Sequence, residues 1–296
     1  MEHFFGAHTI DTGGIHMAAR RAGNAEMRAL QIFTAIPKFY GDRTSMKPER
    51  VARFKDALAG TRITPERVVV HAAYVLNVAT PDEVKWLRAR DGLAKELERS
   101  VGIGAGAVCF HPGAATDDDR DAAAERIATA ITHALETVKG DTRLLVENTA
   151  GAGRTMGRTA AEVGSILRHV PKRLRARTGY GLDTCHLYAS GYDLCESSAA
   201  PSRVLDEFEE ATGEPPGFLH LNDSEGALAS NRDRHMLLGD GAIGAEPFGW
   251  LLADARTKGI PLVLETPQLN AEIAEEDDSP DPYDVQMMAL LATLAR

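Results

Sequence analysis

Six side chains able to ligate a metal or move a proton recur along the chain at nearly constant spacing: His71, His111, Glu147, Asp183, His220 and Glu265. The first four intervals are 40, 36, 36 and 37 residues, and the last is 45. Two short motifs add to them. Asp183-Thr184-Cys185-His186 sets a carboxylate and an imidazole three apart, and Asp233-Arg234-His235 sets another such pair two apart. A lone histidine or aspartate of this kind is ordinarily a packed or solvated residue, but matched positions across two-thirds of a chain point to one shared site. Three imidazoles or carboxylates around an ion, with one position open to water, is the arrangement of a catalytic zinc. Five histidines (71, 111, 186, 220, 235) and four carboxylates (147, 183, 233, 265) are too many donors for one tetrahedral ion. They suit two or three ions, with a carboxylate bridging two of them. The histidine-rich mixture favours Zn²⁺ over the oxygen-seeking Mg²⁺, with Mn²⁺ an alternative at one position. Clustered cations suit phosphoryl or carbonyl substrates, because paired ions stabilise both the attacking and the departing oxygen of an in-line displacement.

The spacing also predicts the elements that carry these groups. Apolar or β-rich runs occur at Phe4–Ala7, Ala29–Phe33, Val68–Val70, Ala107–Phe110, Arg143–Val146, Tyr180–Leu182, Gly217–Leu219 and Pro261–Leu264. Segments of helical character follow at Ile15–Ala22, Pro48–Ala59, Pro81–Val101, Asp117–Val138, Ala160–His169, Pro201–Ala211, Pro247–Ala255 and Pro282–Leu294. Several begin with proline, whose missing N–H costs nothing in a first helical turn. Eight strand–helix units without a Gly/Ser linker predict an α/β fold, a single (β/α)₈ TIM barrel spanning residues 1–296. Its active groups would lie at the C-terminal ends of the strands. An open doubly wound sheet is disfavoured, since no glycine-rich phosphate fingerprint follows the first strand. The acidic run Glu275–Asp278 is expected to be a solvated loop, and Gly102–Gly106 a helix stop.

With 296 residues, 44% of them hydrophobic and 26% charged, the chain can bury a large core and is not disordered. A formal charge of −10 excludes wholesale binding of polyanions, so any nucleic-acid contact needs a local patch or bound cations. Three bound divalent ions would offset more than half of that charge at the site itself. Three cysteines are too few for a disulfide framework. Neither a signal sequence nor an apolar run of membrane length is evident. The expectation is a cytoplasmic monomer with no membrane association.

The motifs that carry these residues resemble the endonuclease IV family of apurinic/apyrimidinic endonucleases. They are Gly6-Ala7-His8, His71-Ala72-Ala73-Tyr74-Val75-Leu76-Asn77, Phe110-His111-Pro112-Gly113 and Glu147-Asn148-Thr149-Ala150-Gly151. Asp183-Thr184-Cys185-His186, His220-Leu221-Asn222-Asp223, Asp233-Arg234-His235, Leu238-Gly239-Asp240-Gly241 with Ile243-Gly244, and Leu264-Glu265-Thr266 complete the set. The resemblance runs in order over nearly the whole chain. It implies a zinc-dependent DNA repair endonuclease, a hydrolase of base excision repair. Such an enzyme cuts the phosphodiester bond 5′ to an abasic site in double-stranded DNA, leaving 3′-hydroxyl and 5′-deoxyribose phosphate ends. Carried over residue by residue, it implies His71 and His111 on a first zinc ion, with Glu147 bridging to a second that Asp183, His220 and Glu265 complete. His186, Asp233 and His235 would hold a third. Glu147 and Glu265 are the expected catalytic carboxylates.

Lys38, Tyr74 and Arg234 are the expected DNA contacts, and His8 is expected to stand behind the ligands or touch phosphate. The stretch Phe33-Thr34-Ala35-Ile36-Pro37-Lys38-Phe39-Tyr40 departs from the family's polar minor-groove segment and keeps only one cation, Lys38. Arg154, Arg158 and Arg232 are further candidates for phosphate. Cys185 is expected not to ligate, and Cys109 to be buried packing. The competing reading is a metal-dependent sugar isomerase or epimerase on a related barrel, which would not need the third ion.

Overall fold

The computed structural model describes residues 2–35, 46–270 and 272–296. Eight parallel strands close into a barrel: β1 (Phe4–His8), β2 (Ala29–Phe33), β3 (Val68–His71), β4 (Ala107–Phe110), β5 (Arg143–Glu147), β6 (Thr178–Asp183), β7 (Leu219–His220) and β10 (Pro261–Leu264). Going round the ring, β10 sits between β7 and β1, so the last strand seals the first. The strands are short, and Val68-Val69-Val70-His71 of β3 is buried along its whole length. Burial on both faces is what a strand needs when it separates a barrel interior from a layer of helices.

Around the barrel lie α1 (Ile15–Asn24), α2 (Pro48–Ala59), α3 (Glu83–Ile103), α4 (Arg120–Thr137), α5 (Ala160–His169), α7 (Ala200–Thr212), α8 (Glu246–Ala253) and α9 (Pro282–Leu294). Their ends follow local chemistry. Asp82, Asp119, Thr159 and Asp281 accept backbone N–H bonds at the starts of α3, α4, α5 and α9. Proline opens α2, α7, α8 and α9. Gly104, with φ +81°, ends α3 in the left-handed conformation.

The predicted eight-unit barrel is the observed one, with local differences in bounds and in the loops after β6 and β7. The chain leaving β6 does not loop but turns at once into a short helix, α6 (Thr184–Ser190). The long segment after β7 contains a small antiparallel hairpin, β8 (Asp223–Ser224) with β9 (His235–Met236). The seventh strand begins at Leu219 rather than Gly217. The acidic run behaves differently from a free loop as well. Although its side chains face solvent, Arg21 is buried and donates to the carbonyls of Ala274 and Asp277 and to those of Ile10 and Thr12. One guanidinium thereby ties the segment before α9 to the first βα loop.

Close approach of strands depends on glycine at particular places. A Cβ on Gly6 would stand 2.0 Å from the Ala29 carbonyl oxygen, in the ladder that joins β1 to β2. Gly6→Ala should therefore destabilise the protein by about 1–3 kcal/mol, the scale of overpacking a tight core. Gly102→Ala, on exposed helix with nothing within 4 Å, should gain about 0.5 kcal/mol. Urea unfolding midpoints of the two variants check both signs.

Candidate metal centre

Every barrel strand delivers a polar side chain to the same rim. His8, His71, Glu147, Asp183 and His220 end β1, β3, β5, β6 and β7; His111 and Glu265 follow β4 and β10 by one residue. The second strand contributes Gln31. Parallel register aligns them: His71 lies opposite Cys109, Glu147 opposite Gly181, and Asp183 opposite His220. Two further histidines come from outside the barrel proper. His186 is in the first turn of α6, whose N-terminus Asp183 caps by accepting from the His186 N–H at 2.9 Å, and His235 opens β9.

All nine predicted donors converge. Possible ligand atoms of His71, His111 and Glu147 lie within 4.8 Å of one another, as do those of Glu147, Asp183, His220 and Glu265. So do those of Asp183, His186 and His235. Glu147 is common to the first two groups: its Oε2 stands 3.2 Å from His71 Nε2 and 3.4 Å from His111 Nε2, and its Oε1 is 2.9 Å from His220 Nδ1. Asp233 spans the two outer histidines, 3.2 Å from His186 Nε2 and 3.1 Å from His235 Nε2.

Backbone and amide groups decide which ring nitrogen each histidine turns inward. His71 Nδ1 donates to the Ala72 carbonyl at 2.7 Å, His186 Nδ1 to that of Asn148 at 2.9 Å, and His235 Nδ1 to that of Glu265 at 3.2 Å. Their Nε2 atoms are thus the ones that face the carboxylates, protonated in the metal-free protein and able to present a lone pair once the ring is neutral. His220 is reversed, with Nε2 donating to Gln31 Oε1 at 2.6 Å and Nδ1 facing in. Fixing one ring nitrogen by hydrogen bonding is how proteins commit the other to a metal. His71 Nε2, His235 Nε2 and Glu147 Oε2 are buried without a hydrogen-bond partner among the described residues. Such atoms are costly in a native protein unless an ion or ligand satisfies them. The donor set, its inward-facing nitrogens and these atoms fit divalent cations.

Charge balance leads to the same conclusion. Burial alone would raise the Glu147 carboxyl, but His220 and His111 hold it well below the usual range. Burial acts likewise on Glu265, which His220 and His71 bring down to about 2. Asp233 is also depressed, by His186 and His235 against its desolvation. The imidazoles move the other way. Burial disfavours a charged His220, yet Glu265, Glu147 and Asp183 lift it to about 9. His235 also reaches about 9, with Asp183 and Asp233 outweighing burial. Without metal, protons on histidine supply the positive charge that these carboxylates require.

Around the centre lies an open rim. A cavity of about 250 Å³ is lined by Tyr74, His111, His186, Asp233, Arg234, His235 and Glu265, and one of about 290 Å³ adjoins it. Tyr74 is 46% exposed, its ring 4.8 Å from that of His71, so an aromatic face is presented beside the ligands. Arg234 is exposed and has no carboxylate partner among the described residues, its guanidinium donating to the Asp233 carbonyl. The other arginines are engaged: Arg154 pairs with Asp118, Arg158 with Glu162 and Arg232 with Glu225. His8 reaches the centre through Gln31, and burial pushes its imidazole down to about 4. Lys38 lies outside the described residues.

Several residues that sequence reasoning did not single out hold the ligands in place. Asn148 Oδ1 accepts the Asp183 N–H at 2.6 Å. Asn222 donates to Asp183 Oδ2 at 2.6 Å and accepts the Glu265 N–H at 2.7 Å. Asp223 is fully buried and accepts backbone N–H bonds from Ser224, Gly239, Gly241, Ile243 and Gly244. It thereby folds the Leu238-Gly239-Asp240-Gly241 loop around itself. The signal was present in Asn148, Asn222 and Asp223, which follow ligands within polar motifs. Cys109 and Cys185 are buried near ligands; their thiols donate to Gln31 Oε1 and to the Arg234 carbonyl, and burial raises both above the ordinary thiol range.

The chain is 34% identical over 266 residues to the probable endonuclease 4 of Halothermothrix orenii, covering 90% of this chain and 94% of that protein. It belongs to the endonuclease IV family. Residues 18–284 also match the family described as xylose isomerase-like TIM barrel. Among solved structures, endonuclease IV from Thermus thermophilus superposes with a TM-score of 0.80 at 29% identity, over 98% of each chain. A D-tagatose 3-epimerase-like protein superposes at 0.70 but with 13% identity, over 98% of this chain and 96% of that one, which is likeness of fold alone. The epimerase alternative therefore rests on the barrel, whereas the endonuclease IV relationship rests on sequence along the barrel's length.

For this endonuclease IV family member the charge balance has a measurable consequence. His220 and His235 lie above their ordinary value of 6.5, so in the metal-free protein both carry protons at neutral pH. Metal needs the neutral ring, so loading with zinc near pH 7 should release protons, and apparent affinity should rise up to about pH 9. The stability these two raised groups contribute is fully present below 6.5 and is lost as pH climbs through about 9. Calorimetry in buffers of different ionisation heat measures the proton release. Thermal melting of the metal-free protein across that window checks the second expectation, a falling melting temperature.

Proposed function

We propose that this chain is a zinc-dependent endonuclease of DNA repair that hydrolyses the phosphodiester bond 5′ to abasic sites in duplex DNA. The products are a 3′-hydroxyl and a 5′-deoxyribose phosphate. The observation that carries this reading is the set of buried donor atoms on His71, His235 and Glu147, without a hydrogen bond among the described residues and clustered with the other candidate ligands at one open barrel mouth. Structural zinc sites are closed and usually cysteine-rich, whereas a hydrolytic site must admit substrate.

In this reading His71, His111 and Glu147 hold a first ion, and Glu147, Asp183, His220 and Glu265 hold a second. His186, Asp233 and His235 hold a third, for which Mn²⁺ is the alternative. Bound ions supply acidity that makes water nucleophilic near neutral pH and neutralise charge on the attacking and departing oxygens. The chain's own groups do the rest. Glu147 keeps two ligand sets in contact through its two oxygens. Glu265 is anchored by its backbone to Asn222 and faces His220 Nδ1 with Oε2 at 3.5 Å. Tyr74 offers a flat apolar surface for the sugar beside the scissile phosphate. Arg234, uncommitted to any acid among the described residues, provides charge-assisted hydrogen bonds to backbone phosphate. Lys38 is a second phosphate contact, on the segment after β2, and His8 supports the ligands through Gln31. The protein works as a single-domain monomer in the cytoplasm, where its three free cysteines remain reduced.

A duplex carrying one abasic analogue tests the reading. Zinc-loaded protein should incise it on the 5′ side of the lesion, and a strong chelator should abolish the cut; an intact or merely retarded duplex would overturn the assignment. Glu147→Gln should lower incision by about 10²–10³-fold, the scale of losing a principal transition-state contact, with an unchanged circular dichroism spectrum. Near-normal turnover in that variant would refute the role given to Glu147.

A further inference from the structure

Gln31 is the one amide in an otherwise apolar strand, Ala29-Leu30-Gln31-Ile32-Phe33, and it is completely buried. Four other strands converge on it. Its Oε1 accepts from His220 Nε2 at 2.6 Å and from the Cys109 thiol at 3.8 Å. Its Nε2 donates to Glu265 Oε1 at 2.5 Å and to His8 Nδ1 at 3.2 Å. A primary amide has two donor hydrogens and two acceptor lone pairs, so all four capacities are used. Only one orientation works. Turning the amide over would set its NH₂ against an N–H and an S–H and its oxygen against a carboxylate.

We propose that Gln31 is a positioning residue of the metal centre. By accepting the His220 Nε2 proton it commits that ring to ligation through Nδ1, and by engaging Glu265 Oε1 it leaves Oε2 as the ligand oxygen. Both ligands belong to the second ion's set, so the inference rests on the ligand reading above. Among the described residues, His71, His186 and His235 are oriented by backbone carbonyls, whereas the ring of His220 is oriented by a side chain. A carbonyl is held by the strand, but an amide acceptor can be removed by substitution.

The test compares wild type with Gln31→Met, which fills similar volume without either hydrogen bond, and with Gln31→Asn, which keeps an amide but cannot reach. Competition with a graded chelator should show one of the bound zinc ions weakened roughly 10- to 100-fold in each variant, the others unchanged. In long-range ¹H–¹⁵N spectra of zinc-loaded wild type, His220 should carry its proton on Nε2, downfield and slow to exchange. The variants should move that resonance upfield and speed its exchange. A merely structural glutamine would lower the melting temperature and alter neither readout. Folded variants with wild-type zinc affinities and an unmoved resonance overturn the role of Gln31 and leave the ligand set standing. A wild-type His220 protonated on Nδ1 overturns it without any variant, and wild type that takes up no zinc overturns the ligand set and this proposal with it.

Discussion

Four carboxylates and five imidazoles at one barrel mouth can remain there only if negative charge is matched within a few ångströms. An isolated buried carboxylate would sooner take up a proton than stay ionised. Here the pull is in the opposite direction: Glu147 is fully buried yet held well below the usual carboxylate range, because His220 and His111 stand against its two oxygens. The balance can be struck by protons on the histidines or by divalent cations between the groups. Inward-facing nitrogens on His71, His186, His220 and His235 favour the second, since a ring that already donates outward from one nitrogen can ligate with the other. The geometry that makes the site stable with metal is therefore the geometry that makes it hydrolytic.

Such a site demands rigidity, which comes from a second tier of neutral polar groups. Asn148, Asn222 and Thr184 link the ends of β5, β6, β7 and β10; Thr184 Oγ1 donates to the Asn222 carbonyl at 2.7 Å and accepts from the Asn222 N–H at 2.8 Å. Neutral linkers suit this place, because another charged residue would have to be balanced in turn. Asp223 is the exception, and its charge is met by five backbone N–H groups instead of a cation. A ring of backbone donors is a fixed counter-charge that cannot exchange with solvent or compete for the metals.

How much of this could be read beforehand depended on the range of each interaction. The candidate ligands His71, His111, Glu147, Asp183, His220 and Glu265 were legible because each marks the end of a strand in a repeating unit, so spacing alone reports their common rim. β2, β4 and β10 were legible to the residue because their flanks change character sharply. By contrast, α6 is seven residues long and starts inside a ligand motif, so its helical pattern was too short to register. The two-residue strands β8 and β9 exist only through pairing with each other. The roles of Gln31 and Asp223 were hidden for the same reason: Gln31 meets partners up to 234 residues away, and Asp223 meets N–H groups 16 to 21 residues on. Arg154, Arg158 and Arg232, candidates for phosphate, each pair with an acid, Asp118, Glu162 and Glu225, a contact that the sequence alone did not reveal.

The candidate donors have two structural origins. The closed barrel, a fold shared with the epimerase-like protein, carries the first two candidate groups, whose members, including Glu147, end or follow strands. The third group is built differently. His186 belongs to α6, His235 to β9 of the hairpin, and Asp233 to the irregular segment between β8 and β9. These are additions after β6 and β7, and they are stitched to the barrel by Asp183, which caps α6 while its other oxygen approaches His235 at 3.5 Å. Asp183 thus belongs to the frame and to the added unit at once. Strand ends alone thus gather the candidate donors for two ions, while those of the proposed third come from the helix and hairpin that follow β6 and β7, so the third site is what this chain's loops add to its barrel.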